Sequence, residues 1–222
     1  MCREMASLTR ELLGPLRQRI ALAAVFTAIL ACVASTTASA SVSGLLTPCA
    51  GQTLTHPFLP WSDAANYAFV TNGGFESGAA GWALTGSAGV VAGNESFKVH
   101  ATTDSHALAL PTGSSATTPA ACVGTLSPTM RFFARNTGAT GSTLRVDVLY
   151  TDALGLRWSV PIATLSASSS WAPGPAALIL ANVTALPLLT GGAAQVSFRF
   201  VPQGTGGAWQ IDDVYVDPYK GS

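Results

Sequence analysis

Short runs of alternating apolar and polar residues, separated by glycine, proline, serine and threonine, make up most of this chain after residue 68. The clearest runs are residues 143–150, 156–162 and 196–200. Successive side chains of an extended strand point to opposite faces, so a period of two residues indicates a strand with one buried face. No segment after residue 40 keeps the i, i+3, i+4, i+7 stripe of a capped helix. The pattern therefore predicts an all-β protein, built as an antiparallel β-sandwich.

The first forty residues have the composition of an export signal. Arg3, Arg10, Arg17 and Arg19 precede an apolar run from Ile20 to Val33, and small residues follow up to Ala40. The run is too short to cross about 30 Å of hydrocarbon comfortably as a helix. We therefore predict a signal peptide over residues 1–40, cleavage after Ala40 and a secreted mature protein.

An alternative is open for the same segment. Ile29-Leu30-Ala31-Cys32 resembles the lipobox of bacterial lipoproteins, with a Ser/Thr/Ala stretch behind it that could serve as a tether. Lipidation at Cys32 would anchor the protein at the cell surface, and the sequence predicts membrane contact only in that case. Otherwise Cys32 is a small apolar residue inside the signal.

Cysteine usage predicts one disulfide. Cys2 and Cys32 lie in the signal segment, which leaves Cys49 and Cys122 for the exported domain. Two cysteines allow one connectivity, and an exported domain is oxidised. Two isolated cysteines without clustered histidines cannot complete a tetrahedral zinc site. The bridge should stabilise the fold by roughly 4 kcal/mol in the chain-entropy model.

Residues 41–68 differ from the rest of the mature chain. They contain Pro48, Pro57 and Pro60 and show little periodicity, which is typical of an extended arm. A Cys49–Cys122 bridge would hold this arm against the domain surface. We place the sandwich domain at residues 69–219.

Charge and motifs exclude several functions. Lys+Arg and Asp+Glu both number 11, so the basic surplus of a nucleic-acid binder is missing. The sequence contains no zinc-protease, nucleophile-elbow, phosphate-loop or dinucleotide motif. Asp104-Ser105-His106 are contiguous and cannot form a triad by themselves. Asp212 and Asp213 should face opposite sides of a strand, which argues against a paired-carboxylate site. We therefore predict a protein that is not an enzyme.

Two motifs near the ends of the domain carry a family resemblance. Asn72-Gly73-Gly74-Phe75-Glu76-Ser77-Gly78 is followed by Gly81-Trp82, and Ile211-Asp212-Asp213-Val214 lies near the other end. Together they resemble the opening and closing strands of carbohydrate-binding modules of families four, nine and twenty-two, in the galactose-binding-like group. The resemblance implies a jelly-roll sandwich. The arm and its cysteine are not part of that pattern and suggest a narrower family of exported bacterial proteins.

The same resemblance implies a structural calcium ion. The family places it beside the first and last strands, on the motif glutamate and the first motif aspartate, which are Glu76 and Asp212 here. Calcium takes six to eight hard oxygen ligands, which carboxylates and backbone carbonyls supply. The alternative is that Glu76 accepts hydrogen bonds from turn amides while Asp212 pairs with an arginine.

Sugar binding would need an aromatic platform. Tyr150, Trp158 and Trp171 are the aromatic candidates outside the motifs, with core or edge packing as the alternative role. Polar side chains would fix the sugar hydroxyl groups. Arg145, Asp147 and Arg199 should come together across adjacent strands, where a surface ladder of ion pairs is expected.

These observations predict an exported, non-catalytic binding module of the carbohydrate-binding type. Its partner would be a polysaccharide or a cell-envelope glycan, and no nucleic acid is expected. The alternative is a structural or adhesive cell-envelope protein that binds other proteins.

Overall fold

A computed structural model of the chain describes Cys49 and residues 51–124, 127–152, 154–179 and 193–219. All of these residues belong to one compact unit, Val42–Ser222. The predicted signal peptide, with Cys32, lies outside the described residues. No helix within the described ranges is long and apolar enough to span a membrane.

The regular structure of the described residues is almost entirely strand, with one 3-10 turn at Leu59–Trp61. The strands are β1 Leu54–Thr55, β2 Tyr67–Phe69, β3 Ala83–Thr85, β4 Gly89–Ala92, β5 His106–Leu110, β6 Ser115–Thr117, β7 Ala121–Gly124, β8 Thr129–Asn136, β9 Thr143–Thr151, β10 Arg157–Leu165, β11 Ala172–Pro173, β12 Ala177–Leu178, β13 Ala193–Gln203 and β14 Trp209–Asp217. The all-β prediction is confirmed.

The strands form two sheets, and every recorded pairing is antiparallel. The first sheet has the order β1-β2-β14-β5-β4, and β8 lies on the other side of β14, where it also pairs with β11 and β12. The second sheet has the order β10-β9-β13-β6-β3, with β7 also paired to β13. The predicted antiparallel β-sandwich, of jelly-roll type, is confirmed.

The inward faces of the two sheets enclose the main core. Val148 of β9 lies opposite Val160 of β10 and Phe198 of β13, so all three point to the same, buried side of the second sheet. Phe132 and Trp209, both fully buried, come from the first sheet. The alternation in the sequence thus matches the burial of one face, as the period of two predicts.

The arm packs on the outer face of the first sheet. Phe58 is fully buried there, with its ring 5.5 Å from that of Phe133 and 5.0 Å from that of Tyr67. The guanidinium of Arg131 lies 4.5 Å from the centre of the Phe58 ring and 2.7 Å from the carboxylate of Asp63. The described part of the arm from residue 51 therefore packs against this sheet, and its last residues already form part of β2.

The predicted disulfide between Cys49 and Cys122 is confirmed, with the two Cα atoms 5.4 Å apart. Cys122 lies on β7 of the second sheet, while Phe58 binds to the first sheet. The side chain of Tyr219 also donates a hydrogen bond to the carbonyl of Cys49, at 3.4 Å. The first and last described segments of the chain are therefore joined at this point.

Candidate functional site

The two sequence motifs meet at the first sheet. Backbone hydrogen bonds run from Val70 N to Val214 O, at 2.9 Å, and from Val214 N to Gly73 O, at 3.2 Å. The side chain of Asn72, whose φ is +54°, donates to the carbonyls of Gly78 and Ala80 and so closes the motif turn. The opening motif therefore builds a turn that docks on the last strand.

The closing motif contains an irregularity in β14. The pairing with β8 shifts between Asp212 and Tyr215, and Asp213 has a φ of +45°. Asp212 Oδ2 accepts a hydrogen bond from Glu95 N, at 2.8 Å, and Asp213 Oδ2 accepts one from His100 N, at 3.0 Å. Both carboxylates thus contact the same loop. The prediction that they face opposite sides is wrong here, because a bulge interrupts the alternation of a regular strand.

Four acidic side chains gather in this region. Glu95, Asp104, Asp212 and Asp213 are each no more than 5% exposed. Burial raises the pKa of Asp212 and of Asp213 far above the usual range, and the nearby charge of Glu95 raises both further. Burial also raises the pKa of Glu95. Buried carboxylates that repel one another favour a proton or a cation between them.

Glu76 and Asp212 have different partners. Glu76 Oε1 accepts the backbone N–H groups of Ser105 and His106, both at 2.7 Å, and its Oε2 lies 2.9 Å from His106 Nδ1. Asp212 Oδ1 accepts the N–H of Asp213, at 2.9 Å. Every oxygen of these two carboxylates therefore already has a hydrogen-bond donor. For Glu76 this is the turn-acceptor role named as the alternative to calcium.

A second set of candidate cation ligands lies beside them. His100, Asp104 and Asp213 each offer one ligand atom, and these atoms lie within 4.8 Å of one another. Asp213 Oδ1 is buried and has no hydrogen-bond partner among the described residues. His100 Nδ1 lies 2.7 Å from Asp104 Oδ2, and the His100 ring stacks on Phe69 at 3.9 Å. Because Asp213 Oδ1 accepts no hydrogen bond from the described residues, it is free to bind a cation.

The second sheet carries an open groove. Ser159, Leu149 and Ser197 lie opposite one another on β10, β9 and β13, on the face away from the core. They line a cavity of about 640 Å³ together with Thr117, Arg157 and Gln195. This volume lies in the range of ligand pockets, and the lining offers several hydroxyl, amide and guanidinium groups.

Two of the predicted aromatic residues, Tyr150 and Trp158, lie beside this groove at the edge of the sheet. Their side chains project from the same face as Val148 and Val160, each of which is two residues away. The Tyr150 and Trp158 rings are stacked, with centres 6.4 Å apart and planes 15° apart, and both residues line the cavity. Tyr150 is 6% exposed and belongs to the core, whereas Trp158 is 44% exposed. Trp158 Nε1 donates to Asp152 Oδ2, at 2.9 Å, and this bond is the main cause that lowers the pKa of Asp152. The indole is therefore held in place and still open to solvent.

The third aromatic candidate is elsewhere. Trp171 packs beside the aromatic cluster of the first sheet, and the guanidinium of Arg135 lies 5.0 Å from its ring. It is not among the residues that line the groove. The structure therefore brings Tyr150 and Trp158 together and leaves Trp171 apart.

The predicted arginine–aspartate ladder is present on the same face of the second sheet as the groove. Arg199 Nη2 lies 2.7 Å from Asp147 Oδ2, and Arg145 Nε lies 3.0 Å from Asp147 Oδ1. Asp147 is only 1% exposed, so the centre of the ladder is buried.

Sequence analysis did not identify several residues of the acidic cluster at β14 and of the groove on the second sheet. Ser159 and Ser197 occupy the outward positions of alternating runs, which is a signal that marks an exposed sheet face but not a groove. His100 and Asp104 lie in a loop whose position next to Asp213 no local pattern encodes. Only the pairing of β5 with β14 brings that loop to the closing motif.

No protein-family model matches the sequence, and no curated protein matches it significantly. Among solved structures, carbohydrate-binding modules recur among those similar to this chain. One is the N-terminal part of endo-1,4-β-D-xylanase 10B of Clostridium thermocellum, with its CBM22-1 and GH10 modules and bound xylohexaose. It is 17% identical with a TM-score of 0.48, and the match covers 69% of this chain and 29% of that chain.

Two further structures are isolated modules. The C-terminal family 22 module of the same xylanase is 15% identical with a TM-score of 0.46, over 68% of this chain and 94% of that one. TmCBM61 in complex with β-1,4-galactotriose is 19% identical with a TM-score of 0.41, and the match covers 67% of this chain and 96% of that one. The chain thus spans under a third of the xylanase and nearly all of the isolated modules.

Proposed function

We propose that this protein is an exported, non-catalytic module that binds a polysaccharide in the groove of the second sheet. The observation that carries the proposal is an open groove lined by hydroxyl and amide groups, with the exposed, anchored indole of Trp158 beside it at the edge of the same sheet. The disulfide supports export, because such bonds persist in oxidising compartments.

The groove and the sheet edge beside it present the two kinds of group that a sugar chain needs. The flat face of Trp158 can pack against the C–H face of a pyranose ring. Ser159, Ser197 and Gln195, on the outward face, can exchange hydrogen bonds with the hydroxyl groups of other units of the same sugar chain. The side chain of Asp152 fixes the indole before binding, so little conformational entropy is lost on contact with a ligand.

A glycan array followed by affinity measurements tests the proposal. We expect at least one polysaccharide to bind, and Trp158→Ala to weaken that binding by about tenfold or more, because a few aromatic side chains carry much of the binding energy of such interfaces. Trp171→Ala is the matched control, since it removes the same side chain from outside the groove. Melting curves of both variants check that the fold is intact.

Other outcomes have distinct meanings. Loss of binding in Trp171→Ala with no effect of Trp158→Ala would move the site to the first sheet. No binding to any glycan, together with specific capture of an envelope protein, would replace the proposal by the adhesive alternative.

We also propose that a structural calcium ion joins the loop of residues 95–105 to β14. The orphan oxygen of Asp213 and the carboxylate of Asp104 support this position better than Glu76 and Asp212, whose oxygens all accept hydrogen bonds. The ion would supply positive charge where four buried carboxylates gather.

A further inference from the structure

A second cavity lies on the same outward face of the second sheet. It has a volume of about 300 Å³, and its lining includes Arg145 and Arg199 together with Thr85, Ser114 and Ser115. Thr85 and Ser115 share a hydrogen bond between their hydroxyl groups, at 2.7 Å. The cavity thus presents guanidinium and hydroxyl groups, which are hydrogen-bond donors suited to an anion.

The two arginines are held by one carboxylate. Arg199 contacts Asp147 Oδ2 through Nη2, at 2.7 Å, and through Nε, at 3.2 Å. Arg145 approaches Asp147 through Nε, at 3.0 Å, and through Nη2, at 3.3 Å. The side chains of both arginines are 35% exposed, whereas that of Asp147 is 1% exposed. The buried carboxylate of Asp147 therefore holds both guanidinium groups in place, and their remaining N–H groups are open to the cavity.

The charges of this cluster do not cancel. Two guanidinium groups face one carboxylate, and the part of the chain that the structure describes places no second carboxylate within ion-pair distance of either arginine. An arginine stays protonated at any physiological pH. The cavity therefore carries one uncompensated positive charge.

The charged cavity adjoins the proposed glycan groove. Arg199 Nη2 donates to Ser159 Oγ, at 3.0 Å, and Ser159 lines the groove while Arg199 lines the second cavity. Along β9, Thr151 lies at the groove end and Arg145 at the cavity end, six residues or about 20 Å apart. A chain of several sugar units lying along this face would reach both.

We infer that the polysaccharide is acidic, and that a sugar carboxylate binds between Arg145 and Arg199. This inference rests on the proposed function and specifies its ligand class. The planar guanidinium matches a carboxylate with two parallel hydrogen bonds, and Asp147 orients both groups before the ligand arrives. A neutral sugar would leave the positive charge without a counterion in the complex.

The test compares acidic polysaccharides with their own neutral forms. Polygalacturonate, glucuronoxylan, alginate and hyaluronan are each measured against a carboxyl-reduced counterpart by affinity electrophoresis and calorimetry, using the intact protein. We expect at least one acidic polymer to bind about tenfold or more tightly than its reduced form, with Arg145→Gln or Arg199→Gln abolishing this preference.

A second kind of variant keeps the test valid if the arginine variants do not fold correctly. Removing one arginine leaves Asp147 less well paired, so Thr85→Glu, which adds a negative charge at the exposed lip of the cavity, should weaken acidic binding with the ion pairs intact. Arg135→Gln is the control, because that arginine pairs with Gln210 on the first sheet.

The outcomes separate the two proposals. Binding of neutral and acidic forms with equal affinity, or binding of neutral glycans alone, would overturn the inference and leave the proposed function standing. Binding to no glycan would overturn both. Equal binding of DNA and acidic glycans would show a nonspecific attraction for polyanions and would also overturn the inference.

Discussion

At the scale of single residues, Asp213 has surroundings that differ sharply from those of an ordinary, solvated carboxylate. It lies in the bulge of β14, is fully buried, and has one oxygen without a hydrogen-bond partner among the described residues. Leaving a buried acceptor unsatisfied costs about 1–3 kcal/mol, and more for a charged group. A cation bound to this oxygen would remove that cost.

We expect calcium to raise the melting temperature of the protein, and a chelator to reverse the effect. An ion that binds only the folded state stabilises it by about 2.7 kcal/mol at a hundredfold excess over Kd, which corresponds to roughly 5–10 °C for a domain of this size. Asp213→Asn and Asp104→Asn should lose this response. Differential scanning calorimetry with and without calcium measures it.

The control for the calcium experiment is Asp152→Asn, which removes an exposed carboxylate from a distant turn and should keep the response. Loss of the response in Glu76→Gln and Asp212→Asn, but not in Asp213→Asn, would support the pair that the family resemblance implies. A wild-type melt that is identical with calcium and with chelator, in protein verified to be free of metal, would exclude the ion.

Gly73 shows why the opening motif has its composition. A Cβ atom at this position would lie 2.8 Å from Val214 O and 3.0 Å from Val70 O, both backbone atoms that cannot move aside cheaply. The turn therefore needs a residue without a side chain, so that the opening motif can approach β14. The motif glycine is explained by this close packing, whatever the ligand of the domain is.

At the scale of elements, the arm is held to the first sheet by one polar cluster as well as by Phe58. The carboxylate of Asp63 accepts hydrogen bonds from Tyr67 Oη, at 2.8 Å, from Ala65 N, at 3.1 Å, and from Arg131 Nη1, at 2.7 Å. Partial burial acts to raise the pKa of Asp63, but these hydrogen bonds and the charge of Arg131 lower it below its ordinary value.

We expect Asp63→Asn to destabilise the protein at neutral pH by about 1.5–3 kcal/mol, the range for a hydrogen-bonded charged group. Because the folded-state pKa lies below that of the unfolded chain, the contribution of Asp63 is complete above about pH 4 and is lost as the pH falls through the lowered value. The difference in unfolding free energy between wild type and variant should therefore shrink in acid. Urea unfolding at a series of pH values measures it, and a difference that does not change with pH would contradict the assigned role.

At the scale of the whole molecule, the disulfide and the arm link the two sheets. Cys49 is bonded to β7 of the second sheet, and nine residues later Phe58 fills a cluster on the first sheet. The backbone N–H of Gly124, at the end of β7, donates to Pro218 O, at 2.8 Å, next to the end of β14. The bridge therefore closes the sandwich at the point where both ends of the domain meet.

Loss of the bridge should lower the stability of the whole domain. Cys122→Ser, or reduction and alkylation, is expected to cost about 4 kcal/mol, equivalent to roughly 8–16 °C in melting temperature. Calorimetry with and without reductant measures the loss, and the reductant should have no further effect on the Cys122→Ser variant. Two alkylatable thiols in the native secreted protein would contradict the bridge.

The secondary structure and the core faces could be predicted because they depend on local pattern. Residues 143–150 alternate in the sequence and alternate in burial along β9, apart from Asp147, which is buried on the outward face by its two arginines. The disulfide could be predicted because only two cysteines lie beyond the predicted signal, so that only one pairing was possible. The meeting of the end motifs followed from the resemblance, and β2 does pair with β14.

The positions of individual functional groups could not be predicted in the same way. Strand alternation placed Asp212 and Asp213 on opposite faces, but a bulge turned both toward the loop of residues 95–105. Tyr150 and Trp158 came together because their strands pair in one register, whereas Trp171 lies over the other sheet. A shift of register by one residue would have moved either ring to the opposite face.

The sequence by itself therefore determined the fold class and the residues that face the core, because burial repeats with the geometry of a strand, and it determined the disulfide through the number of cysteines. Only the tertiary structure decided which distant side chains share a site. The carboxylate cluster and the arginine pair are formed by the order of strands and by one bulge, and these depend on contacts between segments far apart in the chain.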